Sequence, residues 1–114
     1  MPATLRATNK SAPLSTSGVS MRIEWLRTAL NNLDAEAAYL AERNPQAATE
    51  FVQAVLTALN HLADYPAAGR EGRVPGTREW AMPDHPYLIP YRIRANRLQV
   101  LRIFHTRRMP PMHW

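Results

Sequence analysis

The chain has 114 residues, a formal net charge of +5 and no cysteine. This length fits one domain with a single core, and the absence of cysteine excludes disulfides and thiolate metal sites. No apolar run approaches the ~20 residues that cross a bilayer, so we expect no membrane contact and a cytoplasmic protein. Lys10 is the only lysine. The positive charge therefore rests on arginine, which either binds phosphates or carboxylates or merely forms a solvated surface.

Residues 1–20 are rich in Ser, Thr, Ala and Pro, contain no acidic residue and show no periodicity. Such a composition is typical of a disordered leader, or of a start codon assigned too early. We therefore predict that the folded domain spans 21–114 and opens at Met21. A chain that starts there is expected to fold and to keep its activity.

The next segment predicts a short strand followed by two helices. Residues 21–25 alternate, with Ile23 and Trp25 on one side. Apolar residues then recur at helical spacing over 27–43, and Asn44-Pro45 provides an N-cap and a first-turn proline for a second helix that ends at Tyr65-Pro66. So short a connection predicts an antiparallel hairpin. We interpret the acidic residues of these helices as solvated surface groups: Asp34, Glu36, Glu42 and Glu50.

Three runs rich in β-branched, aromatic and Leu residues lie between Arg73 and Arg108 and predict an antiparallel meander. In the middle run we assign Tyr87, Ile89, Tyr91 and Ile93 to the helix-covered face, and Leu88, Pro90, Arg92 and Arg94 to the open face. The last run, 98–104, is apolar on both sides and is predicted to be the central strand.

The element order β-α-α-β-β-β predicts an α+β fold, with the two-helix antiparallel hairpin on one face of a small, mainly antiparallel sheet. The periodicity of each element also predicts which residues meet in its core. The predicted core consists of Ile23, Leu30, Leu33, Leu40, Phe51, Val55, Leu59, Leu62, Ile89, Tyr91, Leu101 and Ile103.

One histidine stands out as a candidate for chemistry. The sequence contains no phosphate-binding glycine loop, no GxSxG or HExxH motif and no paired carboxylates, so we expect no metal and no cofactor. His105 ends the last strand, with Arg107 and Arg108 just after it. A histidine can move protons while arginines hold a scissile phosphate, which makes RNA cleavage one hypothesis. A hydrogen-bonded structural histidine is the other.

Four segments carry a resemblance to a known family: Asn44-Pro45, the run from Gly69 to Glu79, the Pro86–Arg92 strand and Leu101–His105. Together they resemble the RelE/ParE toxins of bacterial type II toxin–antitoxin modules, and are most similar to the ParE-like branch. The resemblance extends from Met21 to about Pro111.

The resemblance implies a ParE-like toxin that inhibits DNA gyrase by protein binding and is neutralised by an acidic antitoxin with an amphipathic helix. Such a toxin would not be an enzyme. Residues implied in target or antitoxin binding are Arg73, Arg78, Trp80, Arg92, Arg94, Arg107 and Arg108.

Two alternatives stay open. In a RelE-like, ribosome-dependent mRNA endonuclease, His105, Arg108 and Arg92 would be catalytic. A degenerate toxin would keep only antitoxin binding. Leu88 stands where RelE-like strands carry an arginine, and the domain has no lysine, which favours the ParE reading.

Overall fold

The computed structural model describes residues 21–107, and the predicted leader lies outside them. The fold is α+β, as predicted, with one strand, two helices and a three-stranded meander in that order. Two short elements were not predicted: a 3₁₀ turn and the two-residue strand β2. The elements are β1 Arg22–Trp25, α1 Arg27–Arg43, α2 Pro45–Asp64, the 3₁₀ turn Pro66–Ala68, β2 Arg70–Glu71, β3 Arg78–Ala81, β4 Tyr87–Arg94, β5 Arg97–Val100 and β6 Phe104–His105.

The helix hairpin forms for the reasons that its sequence suggests. The Asn44 side-chain oxygen accepts from the backbone N–H groups of Gln46, at 3.1 Å, and Ala47, at 3.3 Å. Two of the unpaired donors that open α2 are therefore satisfied, and Pro45 occupies a position that needs no donor. No helix within residues 21–107 is long and apolar enough to span a membrane.

The two helices bury their predicted stripes to different degrees. In α2, Phe51, Val55, Leu59 and Leu62 are all at most 2% exposed, as predicted. In α1, Leu33 is buried as predicted, but the other buried positions are Ala29 and Glu36, and Leu30 is only half-buried. The interpretation of Glu36 as a solvated group is wrong, because the Tyr87 hydroxyl donates to its carboxylate at 2.5 Å in the interior.

The strands are ordered β1-β5-β4-β3-β2 in the sheet. β1 joins β5 in parallel, and the other pairs are antiparallel. The central strand is therefore β4, and the prediction that the last run is central is wrong. β2 adds an outer strand beyond β3, which shifts the middle of the sheet away from the last run.

The last run also divides into two strands around a bulge. Tyr91 lies opposite Val100, whereas Tyr87 lies opposite His105. Four steps along β4 thus match five steps along the partner, so residues 101–103 contain one extra residue, as in a β-bulge. The Ile103 N–H donates to the Asn32 side chain of α1 at 3.1 Å, which replaces a ladder hydrogen bond.

The main core lies between the helices and the sheet, and most of the predicted members belong to it. Ile23 and Leu40 are partly buried against it. Ile93 was assigned to the covered face but is 41% exposed, because burial along β4 falls away near the β4–β5 turn.

Three further apolar residues are buried on the opposite face of the sheet. Leu101 lies beside Pro90, outside the main core, and Leu88 is 4% exposed. The centre of the face away from the helices is therefore buried, contrary to the open assignment of Leu88 and Pro90.

Candidate functional site

The sheet alternation places the predicted site residues on two different faces. We use "open face" for the side of the sheet turned away from the helices, although its centre is buried. This face carries Arg92 and Arg94 on β4 and Glu79 on β3. Side chains that lie directly opposite each other in a sheet share a face. His105 lies opposite Tyr87, a member of the helix-side core, and therefore belongs to the helix side.

The ring of His105 is fixed by its neighbours. It meets the Tyr87 ring edge-on, with centroids 5.2 Å apart, and the Tyr87 hydroxyl is bonded to Glu36. The backbone N–H of Arg107 donates to Nδ1 of His105 at 3.2 Å. The accepting nitrogen of a neutral imidazole is the unprotonated one, so the proton of neutral His105 sits on Nε2. The nitrogen that could act as a base is thus already engaged by the backbone.

Arg92 is remote from this histidine. It lies on the open face, five residues along β4 from Tyr87, which corresponds to about 16 Å along the strand. Its Nε donates to the Gln99 side chain at 2.6 Å, and Gln99 in turn donates to Glu24 at 2.9 Å. The structure therefore does not bring His105 and Arg92 together. Arg108, the third residue of that predicted set, lies outside the described residues.

Arg73 is bound within the fold through a buried carboxylate. Glu79 is 2% exposed, and its Oε2 accepts from the backbone N–H and the Nε of Arg73 at 3.0 and 3.1 Å. Arg70 reaches Oε1 at 3.3 Å. Burial alone would raise the pKa of Glu79, but the hydrogen bonds and charge of Arg73, with help from Arg70, outweigh it and lower the pKa. Sequence reasoning missed Glu79, although its place among nearby arginines was a usable signal.

Arg78 and Trp80 lie on the helix side. Arg78 donates to the Gly69 carbonyl at 2.8 Å. The Tyr91 hydroxyl accepts from the Gly69 N–H and donates to the Pro66 carbonyl, at 2.9 and 2.7 Å. A side chain at Gly69 would place its Cβ 2.5 Å from that hydroxyl, so this close approach requires glycine. Arg78 thus helps to fix the turn after α2.

Trp80 extends an aromatic group at the end of α2. Its ring lies 5.2 Å from that of His61, which lies 5.3 Å from that of Tyr65. Trp80 also packs against the core, and its buried Nε1 has no hydrogen-bond partner within the described residues. Trp80 therefore has a packing role, and no contact within residues 21–107 indicates that it binds a ligand. Within the same range, no three His, Asp or Glu side chains come close enough to hold a metal.

Arg94 is exposed at the end of β4. It lies directly opposite Arg97, and Arg97 lies opposite Arg22 on the neighbouring strand. All three are exposed, and Arg107 is also exposed near the other end of the last run. We call Arg22, Arg97 and Arg94 the arginine row. The sequence could not show it, because the parallel pairing of β1 with β5 is not visible from local patterns.

Comparisons with known proteins agree on a family. Residues 23–110 match the sequence model of the ParE toxin of the type II toxin–antitoxin system, parDE. Over 90 residues the chain is 42% identical to a Sinorhizobium fredii protein named "Putative toxin Y4kP", covering 79% of this chain and 93% of that protein.

Solved structures share the fold. A chain of the chromosomal ParDE toxin–antitoxin system from P. aeruginosa superposes with a TM-score of 0.69 at 29% identity, covering 75% of this chain and 96% of that one. A chain of the Mycobacterium tuberculosis toxin–antitoxin complex RelBE2 gives a TM-score of 0.53 at 22% identity, with 76% and 92% covered. The extent of the sequence match decides the question: this chain belongs to the ParE family and is a toxin of a type II toxin–antitoxin system.

Proposed function

We propose that this toxin acts in the cytoplasm by binding and inhibiting DNA gyrase, and that a cognate acidic antitoxin neutralises it. Membership of the ParE family supports the toxin role, and a structural relative comes from a ParDE toxin–antitoxin system. Inhibition by binding requires a complementary surface and no assembled catalytic group.

The observation that carries the proposal is the separation of His105 from Arg92. A ribonuclease of the RelE kind would need a proton-transferring group and a phosphate-binding arginine at the same scissile bond. Here the two side chains lie on opposite faces of the sheet, and each is already hydrogen-bonded, His105 through Nδ1 and Arg92 to Gln99. This arrangement favours a binding toxin over a nuclease.

The test is induced expression, followed by plasmid topology and mRNA primer-extension assays on the same culture. The wild-type protein is expected to arrest growth and alter plasmid supercoiling without codon-specific mRNA cleavage. His105→Gln keeps a polar side chain of similar size but cannot transfer protons near neutral pH. It should retain growth arrest within about tenfold in the inducer needed, whereas loss of a proton-transfer group reduces a rate about 10²–10⁴-fold.

The matched control is His61→Gln, which removes an exposed histidine at the end of α2. Both variants are expected to behave alike. Codon-specific cleavage by the wild type that disappears in His105→Gln but persists in His61→Gln would refute gyrase inhibition and identify a ribonuclease. Antitoxin neutralisation is checked separately, since co-expression of a small acidic protein encoded beside the toxin gene should restore growth.

A further inference from the structure

The arginine row is an unusual arrangement because it places like charges directly opposite one another on three adjacent strands. Arg94, Arg97 and Arg22 occupy one line across β4, β5 and β1, on the open face. Like charges in directly opposed positions of a sheet destabilise it, and neighbouring strands are only about 4.8 Å apart. A fold selected for stability alone would alternate the signs here.

Neighbouring side chains do not neutralise the row. The next line across the same strands is Glu24, Gln99 and Arg92, joined by hydrogen bonds. Glu24 is the single carboxylate among these six positions, and it is 3.8 Å from Arg97 while it also accepts from Gln99. Four arginines therefore face one carboxylate at this end of the sheet. No ion pair is found for Arg22 or Arg94 within residues 21–107.

The chemistry next to the row favours a protein over a nucleic acid. Single-stranded nucleic acids are usually held by basic grooves that also supply aromatic rings for base stacking. None of the six side chains on this end of the open face is aromatic. Ile93, between Arg92 and Arg94 in sequence, is 41% exposed, but it lies opposite Leu98 of the core and therefore belongs to the helix side. A row of charges without aromatic rings suits a partner that brings carboxylates.

The spacing of the row indicates the form of this partner. Carboxylates at every fourth position of a helix lie about 5–6 Å apart, close to the ~4.8 Å between strands. Alternate carboxylates of an extended chain lie farther apart, at about 6.6 Å. An acidic helix lying across the strands would therefore bring one carboxylate to each arginine.

We propose that Arg22, Arg97 and Arg94 form a docking site for a helix of a partner protein that carries a stripe of Asp or Glu at every fourth position. The partner class is that of the proposed antitoxin, and to that extent the inference rests on the proposed function. Docking neutralises the like-charge row and removes a repulsion that the free toxin retains.

The experiment measures binding of labelled synthetic probes to the full-length protein by fluorescence anisotropy at low salt. The first probe is an alanine-rich helical peptide of about 20 residues with glutamate at every fourth position. The second has the same composition, with its glutamates distributed around the helix. The third is a single-stranded oligonucleotide with the same number of negative charges. The striped peptide is expected to bind most tightly, and added salt should weaken it.

Two double variants distinguish an effect of the arginine row from an effect of net charge. Arg22→Gln combined with Arg94→Gln should weaken binding of the striped peptide about fivefold to tenfold, since each exposed charge pair contributes modestly. The control combines Arg27→Gln with Arg43→Gln, which removes the same charge from exposed positions of α1 and should change binding less than about twofold.

Three results would overturn the docking site: no binding of the striped peptide, equal losses in the two double variants, or tighter binding of the scrambled peptide or the oligonucleotide. The growth and topology assays use none of these probes. Failure of the docking site and failure of the proposed toxin mechanism are therefore separate outcomes.

Discussion

The two faces of the sheet are built on different physical principles. On the helix side, Phe51, Val55 and Leu59 are at most 2% exposed in a continuous apolar core. On the open face, stability around the apolar centre depends on directed polar contacts, such as those of Glu79 with Arg73. Apolar burial tolerates many arrangements, whereas each buried charge requires a partner in a set direction. In the arginine row, only Arg97 has an ion pair within residues 21–107, a 3.8 Å contact with Glu24. The row therefore lowers the stability of the open face, whereas apolar burial stabilises the helix side.

The largest effect is expected from a cavity in the core on the helix side. Leu59→Ala removes a side chain that is 1% exposed and should lower the free energy of unfolding by ~2–5 kcal/mol, because a cavity remains in the core. Urea denaturation monitored by circular dichroism measures it. The control is Leu56→Ala on the same helix, where the side chain is only half-buried and the loss should be clearly smaller. A change within about half a kcal/mol at Leu59 would show that the core lies elsewhere.

An intermediate effect is expected from the buried carboxylate of the open face. Glu79→Gln removes the charge that holds Arg73 and Arg70, and should lower the free energy of unfolding by about 1–2 kcal/mol at neutral pH. The effect is small because both arginines are more than a third exposed, so solvent screens the pairs. Glu71→Gln changes an exposed carboxylate on the adjacent strand and should have little effect.

The same carboxylate gives a pH dependence with a definite sign. Its pKa in the folded state is below the ordinary value of 4.5, so ionised Glu79 favours the folded protein. This contribution is fully present above pH 4.5 and is lost as the pH falls through the lowered pKa. Melting temperatures measured from neutral pH down to pH 3 should therefore converge for wild type and Glu79→Gln. A constant difference across this range would contradict the assignment.

The smallest effect has the opposite sign. Arg94→Gln removes one of two opposed charges and should raise the free energy of unfolding by about 0.2–1 kcal/mol. Arg92→Gln, two residues away on the same face, should instead destabilise the protein, because Arg92 donates to Gln99. The difference between the melting temperatures of these two variants distinguishes an arginine that stabilises the fold from one that destabilises it. Destabilisation by Arg94→Gln would mean that the row is satisfied in the free protein.

Local signals in the sequence predicted the elements well because their causes are local. The N-cap of Asn44 and the stop at Tyr65-Pro66 depend on neighbours within three residues, and both are found where predicted. The α2 stripe was placed correctly because its apolar residues are large and regularly spaced. In α1, leucines and small alanines alternate around the helix, so the apolar stripe is less distinct, and Ala29 is buried while Leu30 is not.

The errors involve partners distant in sequence. Glu36 is buried because it meets Tyr87, 51 residues later. The arginine row depends on the pairing of Arg22 with Arg97, which no local pattern determines. The candidate site was also affected, since Arg73, Arg78 and Arg92 each bind an acceptor six to nine residues away that a turn or strand pairing brings close. Composition revealed the arginines but not which of them remain available.

The bulge at residues 101–103 has a consequence for how this fold can diverge. Side chains of a strand alternate between faces, so one additional residue reverses the parity of everything that follows it. With the register of β5 continued, Phe104 would lie opposite Tyr87, and His105 would point to the face that carries Arg92. In the observed register, His105 lies opposite Tyr87 on the helix side, and Phe104 lies opposite Leu88 on the open face. Loss of the bulge at unchanged length would therefore move the histidine to the other face of the sheet, whereas a single-codon deletion in 101–103 would remove the bulge and keep the histidine opposite Tyr87. The length of this segment is thus as informative as its composition when toxins of this fold are compared.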